Sequence, residues 1–169
     1  KTRVKKSKGN IAIGFQIGSE IHGISFKGYF TDRLGAQVLY YTREENDSIS
    51  DYSTIHGRLI YNLKERLSHK GRIRSFYTGI GYGSKKEAFA NETRGEGFGV
   101  TNNDFKDKDS TVFELFIGVE IPTGPYTYFN AEASYVNLDG KKIGFEDDAT
   151  STNYSNSDLR LSAGFHYYF

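Results

Sequence analysis

Histidine is the most versatile catalytic and ligating side chain available here, yet His22, His56, His69 and His166 nowhere fall at a ligating interval such as His-x-x-x-His. A metal pair would require His56 and His166 to meet from separate elements, and hydrogen-bonded packing accounts for them more simply. Asp104, Asp107 and Asp109 approach a calcium-loop spacing, but no loop glycine or closing glutamate follows, and Lys106 and Lys108 interrupt the run. The stretch Gly79-Ile-Gly-Tyr-Gly-Ser-Lys85 has the composition of a phosphate cradle without a helix behind it, and Gly95-Glu-Gly-Phe-Gly99 misses the dinucleotide spacing. With no Cys there is no thiolate nucleophile, no disulfide and no Cys-ligated zinc. The expectation is no metal, no cofactor and no catalytic residue. Asn46-Asp-Ser and Asn91-Glu-Thr have the form of sequons. What remains is a set of opposite charges: Lys27, Arg58 and Arg160 with Glu114, Glu120 and Glu132. Their chemistry depends on the elements that place them.

Those elements alternate strictly. From Ile11 the chain puts Ile11, Ile13, Phe15 and Ile17 on one face and Ala12, Gly14, Gln16 and Gly18 on the other, a period of two and hence a strand. Seven more segments follow the same rule, around Ile24–Phe30, Ala36–Tyr41, Ile55–Leu63, Ser75–Tyr82, Phe113–Ile121, Tyr128–Tyr135 and Leu159–Phe169. Each suits a tilted bilayer crossing of about 9–11 residues. The connections alternate in length. Residues 18–23, 43–53, 84–110 and 139–157 lie on one side of a meander, all but the first of them long. Thr31-Asp-Arg33, roughly 64–71, and Pro122-Thr-Gly-Pro125 lie on the other, with both prolines placed in a turn.

No run of apolar residues is long enough for a transmembrane helix. A mean hydropathy of −0.59 does not argue for a soluble protein, because a membrane barrel averages out its alternation. One face of every strand is uncharged. The other carries Lys27, Arg58, Arg160, Glu114, Glu120 and Glu132 among glycines at positions 14, 18, 79, 81, 118 and 164, with Gln16, Asn62, Asn130, His56 and His166. Glycines beside long charged side chains suit a crowded small-barrel interior better than a solvated outer surface. The six charges should therefore pair within the lumen. A soluble lipocalin-like carrier would have the opposite orientation, with the apolar face around a ligand.

The chain has 169 residues with a net charge of +1, which gives no pull toward nucleic acid. Lys1 stands where an initiator Met would, so a processed or trimmed chain is expected. Residues 1–8 are read as a solvated basic tail, and 9–169 as a single transmembrane β-barrel domain.

The last strand, Leu159-Arg-Leu-Ser-Ala-Gly-Phe-His-Tyr-Tyr-Phe169, resembles the C-terminal strand signal of bacterial outer-membrane proteins, with Phe165, Tyr167 and Phe169 as its alternating aromatics. From about residue 9 the chain resembles the small OmpA/OmpX-type eight-stranded antiparallel up-and-down barrels. The segment from Gly23 to Val38 is similar in style to such barrels from Bacteroidetes-like bacteria. With no Trp, the interfacial girdle falls to Tyr40, Tyr61, Tyr82, Tyr135 and Tyr167.

The resemblance implies residence in the Gram-negative outer membrane, with periplasmic termini, extracellular long loops, and recognition by the barrel-assembly machinery during biogenesis. It also implies a lipid and lipopolysaccharide environment, with Lys85, Lys86, Arg94, Lys106 and Lys108 as outer-rim phosphate contacts. Barrel enzymes that deacylate lipid A carry a His-x-Ser-Asn stretch that this chain lacks, so a non-enzymatic role is expected: surface adhesion or partner binding through the loops around 84–110 and 139–157. The alternative is a structural or accessory subunit bound to another envelope protein. A filled lumen excludes a wide channel, although a small gated conductance through a rearranged Arg/Glu network stays open.

Overall fold

The computed structural model describes residues 10–18, 22–43, 50–67, 73–89, 108–143 and 151–169. Within these the alternating segments form β1 (Ile11–Gly18), β2 (His22–Tyr29), β3 (Leu34–Arg43), β4 (Ser50–Leu67), β5 (Ile73–Phe89), β6 (Lys108–Pro122), β7 (Thr127–Ile143) and β8 (Ser151–Tyr168). They pair antiparallel in chain order, and β1 also pairs with β8, closing the barrel. Closure leaves no sheet edge within the paired belt, which is what a lipid environment demands of backbone polar groups.

Two tight turns at the end that holds the termini have clear chemical causes. The Thr31 hydroxyl accepts from the backbone N–H of Leu34 (2.9 Å) and of Arg33 (3.2 Å), while Phe30 and Thr31 donate to the Leu34 carbonyl. A Thr side chain so placed imitates a backbone turn. Between β6 and β7, Thr123 and Gly124 both donate to the Thr127 carbonyl.

At the opposite end, which we call the hairpin end, the strands outrun the sequence expectation. Much of 43–53, 84–110 and 139–157 belongs to continuous ladder rather than loop: β4 and β5 pair up to Ser50↔Phe89, β5 and β6 to Glu87↔Lys108, and β7 and β8 to Ile143↔Ser151. Alternation of apolar and polar residues marks only the part of a strand with two different environments. Above the apolar belt both faces meet water, so Ser155, Asn156, Ser157 and Asp158 pair without announcing it. Pro122 is likewise the last residue of β6 rather than a turn residue, a position where a missing N–H costs little. A register shift between Asn62 and Lys64 leaves Leu63 as a bulge near the terminal end of β4.

The two faces are sharply distinct. Ile13, Phe15, Ile24, Phe26, Val38, Ile55, Leu59, Ile80, Leu115, Ile117, Leu161 and Phe165 are exposed on the outside, whereas Gln16, Lys27, Gln37, Arg58, Glu114, Glu120, Asn130, Glu132 and His166 are buried inside. A lipocalin-like carrier needs the reverse, so the charged interior removes that alternative. Among the described residues no helix is long and apolar enough to cross a membrane; strands do the crossing.

Candidate functional site

The lumen is packed in layers, each fed by the inward-facing positions of several strands. At the terminal end Ala12, Tyr128 and Tyr168 form a buried cluster with Tyr29 against it, and the Tyr128 and Tyr168 rings meet edge to face with centroids 5.0 Å apart. This aromatic floor separates the interior from the terminal end.

Above it Lys27 (β2) reaches Glu120 (β6), Nζ to Oε1 3.5 Å, and the Tyr168 hydroxyl donates to the same oxygen at 2.8 Å. Beside them lies a grouping that sequence spacing does not reveal. Ser25 Oγ and His166 Nε2 share a hydrogen bond of 2.8 Å, and His166 Nδ1 is 3.8 Å from Glu120 Oε1. The order of groups is that of a hydrolytic triad. All three are fully buried, however, and Gln37 Nε2 also donates to Ser25 Oγ at 2.7 Å. The Ser25 hydroxyl is thus engaged by both Gln37 and His166 inside the packed lumen.

The central layer is organised by Arg58 (β4). Its Nε and Nη2 fork onto Glu114 (β6) at 2.7 and 2.6 Å, and Nη1 donates to Glu132 (β7) at 2.7 Å and to Gln37 Oε1 at 3.4 Å. Glu132 also accepts from Gln16 Nε2 (2.5 Å), the Tyr77 hydroxyl (2.7 Å) and Asn130 Nδ2 (3.3 Å). The guanidinium stacks 4.5 Å from the Phe116 ring centre. Bidentate and bridging geometry of this kind suits arginine's rigid fork and would be lost with lysine.

The glycines make room for these long side chains. A Cβ on Gly118 would lie 2.5 Å from the Tyr77 ring, and one on Gly81 would lie 2.6 Å from His56 Nε2 and 3.0 Å from Glu114 Oε2. Gly79, Gly81 and Gly83 sit inside β5, where their amides serve the ladder, so the apparent phosphate cradle is a set of lumen spacers.

Five of the six charges expected in the lumen thus stand in two linked clusters. Arg160 is placed differently: its Nε is 3.7 Å from Asp158 Oδ2 on its own strand. It lines a small cavity of about 30 Å³ open to water at the hairpin end, together with Tyr41, His56, Arg58, Glu114 and Lys85. Lys85 therefore turns into the mouth of the barrel instead of out to a lipid rim, while Lys86 is exposed. Arg94 and Lys106 lie outside the described residues, as do residues 1–8, His69, both sequons, Asp104, Asp107 and the Gly95–Gly99 stretch; of Lys108 only the backbone is described. His56 Nδ1 stands 3.4 Å from Glu114, in a different layer from His166, so the two histidines do not meet.

Phe165, Tyr167 and Phe169 all face outward: Phe165 is in ring contact with Phe15 and Phe129, and Tyr167 with Tyr126 and Phe169, at centroid distances of 5.3 to 5.9 Å. Together they form an aromatic seam across β7, β8 and β1.

No protein-family model matches this sequence, and no curated protein does. Among solved structures the chain is similar to Neisserial surface protein A, with a TM-score of 0.54 and 18% identity over 94% of each chain. That protein is an eight-stranded outer-membrane barrel. At this identity the likeness speaks for architecture alone: the chain has the closed eight-stranded antiparallel fold of the small outer-membrane barrels.

Proposed function

We propose that this protein resides in the outer membrane, its termini on the periplasmic side, and acts without catalysis through its projecting hairpin end in surface adhesion or partner binding. The observation that carries this reading is strand length. An 18-residue strand such as β8 runs about 60 Å at about 3.3 Å per residue, or roughly 45 Å along the barrel axis once tilted by about 40°, whereas the apolar belt of such barrels is about 25 Å tall. The surplus lies at the hairpin end and lifts β4 to β8 clear of the membrane. The interior offers no competing route, since side chains bonded across the lumen fill it from Arg58 down to the aromatic floor. Exposed Lys86 at the rim supports contact with lipopolysaccharide phosphates.

Deleting residues 90–107, between the paired ends of β5 and β6, tests the proposal in cells that display the protein. Loss of surface adhesion with unchanged barrel content in the membrane supports it. Full adhesion after that deletion and a matching deletion of 144–150 overturns it.

A further inference from the structure

The barrel wall is not equally high all round. At the hairpin end β1 stops at Gly18, opposite Ser162, and β2 begins at His22, whereas β8 continues from Ser162 to Ser151 with β7 beside it throughout. Among the described residues, nothing pairs with the other edge of β8 above Ser162.

Two backbone bonds at the terminal end fix which residues that edge presents. Phe169 N donates to the Ile11 carbonyl, toward β1, and Tyr168 N donates to the Tyr126 carbonyl, toward β7. In an antiparallel ladder the N–H and C=O of one residue point to the same side, and successive residues point to opposite sides. Neither the β1–β8 nor the β7–β8 register shifts. Odd-numbered residues therefore carry the β1 side all the way up the strand. Leu159, Ser157, Ser155, Asn153 and Ser151 turn their N–H and C=O groups to the low side of the wall, at a repeat of about 6.8 Å.

Exposure agrees with an open flank. Ser155, Asn156, Ser157, Asp158 and Leu159 are all exposed, on the inward and outward faces alike. Proteins usually guard such an edge with proline, lysine or a bulge. Ser151–Leu161 contains no proline or lysine, and its pairing with β7 is regular. The two charges on the segment, Asp158 and Arg160, occupy inward positions and face each other.

Resting on the hairpin end as a partner-binding surface, we infer that the edge of β8 from Ser151 to Leu159 receives an extended peptide segment of a partner protein by strand addition. A row of alternating donors and acceptors at this repeat matches one chemistry, another extended main chain. The guest runs antiparallel to β8, in the direction of β1, and prolongs the β1–β8 ladder end-on. Its alternate side chains lie beside Ser155, Ser157 and Leu159 outside and beside Asn156 and Asp158 inside. That arrangement selects small polar or aliphatic residues on one face and amide or basic residues on the other.

The test uses the full chain in lipid nanodiscs and hydrogen exchange of individual amides. The probe is an eleven-residue peptide of alternating Val and Thr, with the same peptide methylated at alternate backbone nitrogens as control. In the free protein the amides of Leu159, Ser157 and Ser155 are expected to exchange freely. The probe slows them at least tenfold and the methylated peptide does not. Ser157→Pro removes one guest-facing N–H and spares the β7 ladder, which uses even-numbered residues; it abolishes the protection while circular dichroism stays unchanged. Should that variant fail to fold, Ser155→Pro replaces it. Protection of these amides in the free protein means the chain covers its own edge and overturns the inference, as does an unprotected edge in the presence of the probe. Either result leaves the adhesion assay on the 90–107 deletion untouched, so the two readings fail separately.

Discussion

Replacing Arg58 by methionine isolates the interaction on which the central layer depends. Arg58 makes three charge-assisted bonds of 2.6 to 2.7 Å, two to Glu114 and one to Glu132. Methionine fills much of the same volume but leaves both carboxylates buried and facing each other across the vacated fork. Breaking a single buried pair typically costs about 3–5 kcal/mol. Glu132 keeps three neutral donors, from Gln16, Tyr77 and Asn130, so most of the loss falls on Glu114. A total of about 4 kcal/mol follows, roughly a thousandfold in the unfolding equilibrium. Urea unfolding in phospholipid vesicles, followed by tyrosine fluorescence and gel mobility, measures it. Combining Arg58→Met with Glu114→Gln should recover about 2 kcal/mol, because the orphaned charge is gone. A loss below about 1 kcal/mol for Arg58→Met would refute the argument, since it would mean that water enters the lumen and solvates the glutamates.

Three further outcomes follow from other parts of the barrel. Gly118→Val drives a side chain into the Tyr77 ring and should destabilise by about 1–3 kcal/mol, whereas outward-facing Gly57→Ala, whose new Cβ meets only ordinary contact at 3.8 Å, should be neutral in the same unfolding assay. Ile117→Arg, at mid-belt, should cost about 2–4 kcal/mol, and Ser155→Arg, on the projecting ladder, should cost under about 0.5 kcal/mol; equal costs would misplace the membrane boundary. Phe169→Ala, which removes the outward ring but keeps the backbone bond from residue 169 to the Ile11 carbonyl, should lower the amount of barrel inserted in cells and change unfolding of the purified protein by no more than about 1 kcal/mol, as quantitative immunoblotting and urea titration would report.

The sequence exposes the barrel wherever two environments impose alternation. Ile11 to Ile17 and Phe113 to Ile121 announce strand, face and orientation together, because one side meets lipid and the other a polar core. It is silent where the environments match. The ladder of Ser155, Asn156, Ser157 and Asp158 is polar on both faces, so its composition is that of a loop. The charges of the lumen are legible as a set but not as partners: parity puts Arg58, Glu114 and Glu132 inside, while height along the axis, fixed by register and tilt, decides that Arg58 takes both carboxylates and that Arg160 stands beside Asp158. The Ser25–His166–Glu120 grouping is invisible for the same reason, since its members come from three strands with no common spacing.

The short first hairpin bears on how the barrel stays shut. Among the described residues β1 meets β8 from Ile11 to Gly18, and β2 meets β3 from Gly23 to Tyr29, so backbone pairing holds this hairpin over less than half the length shared by β7 and β8. Its side chains reach furthest in return: Gln16 to Glu132 and Ser162, Ser25 to His166, Lys27 to Glu120. These bonds join the first strands to the last ones and form only when the ring is complete. Closure is thereby made all-or-none. A chain lacking its final strand would leave Gln16 and Ser25 without their β8 partners, and the loosest hairpin of the wall would open first.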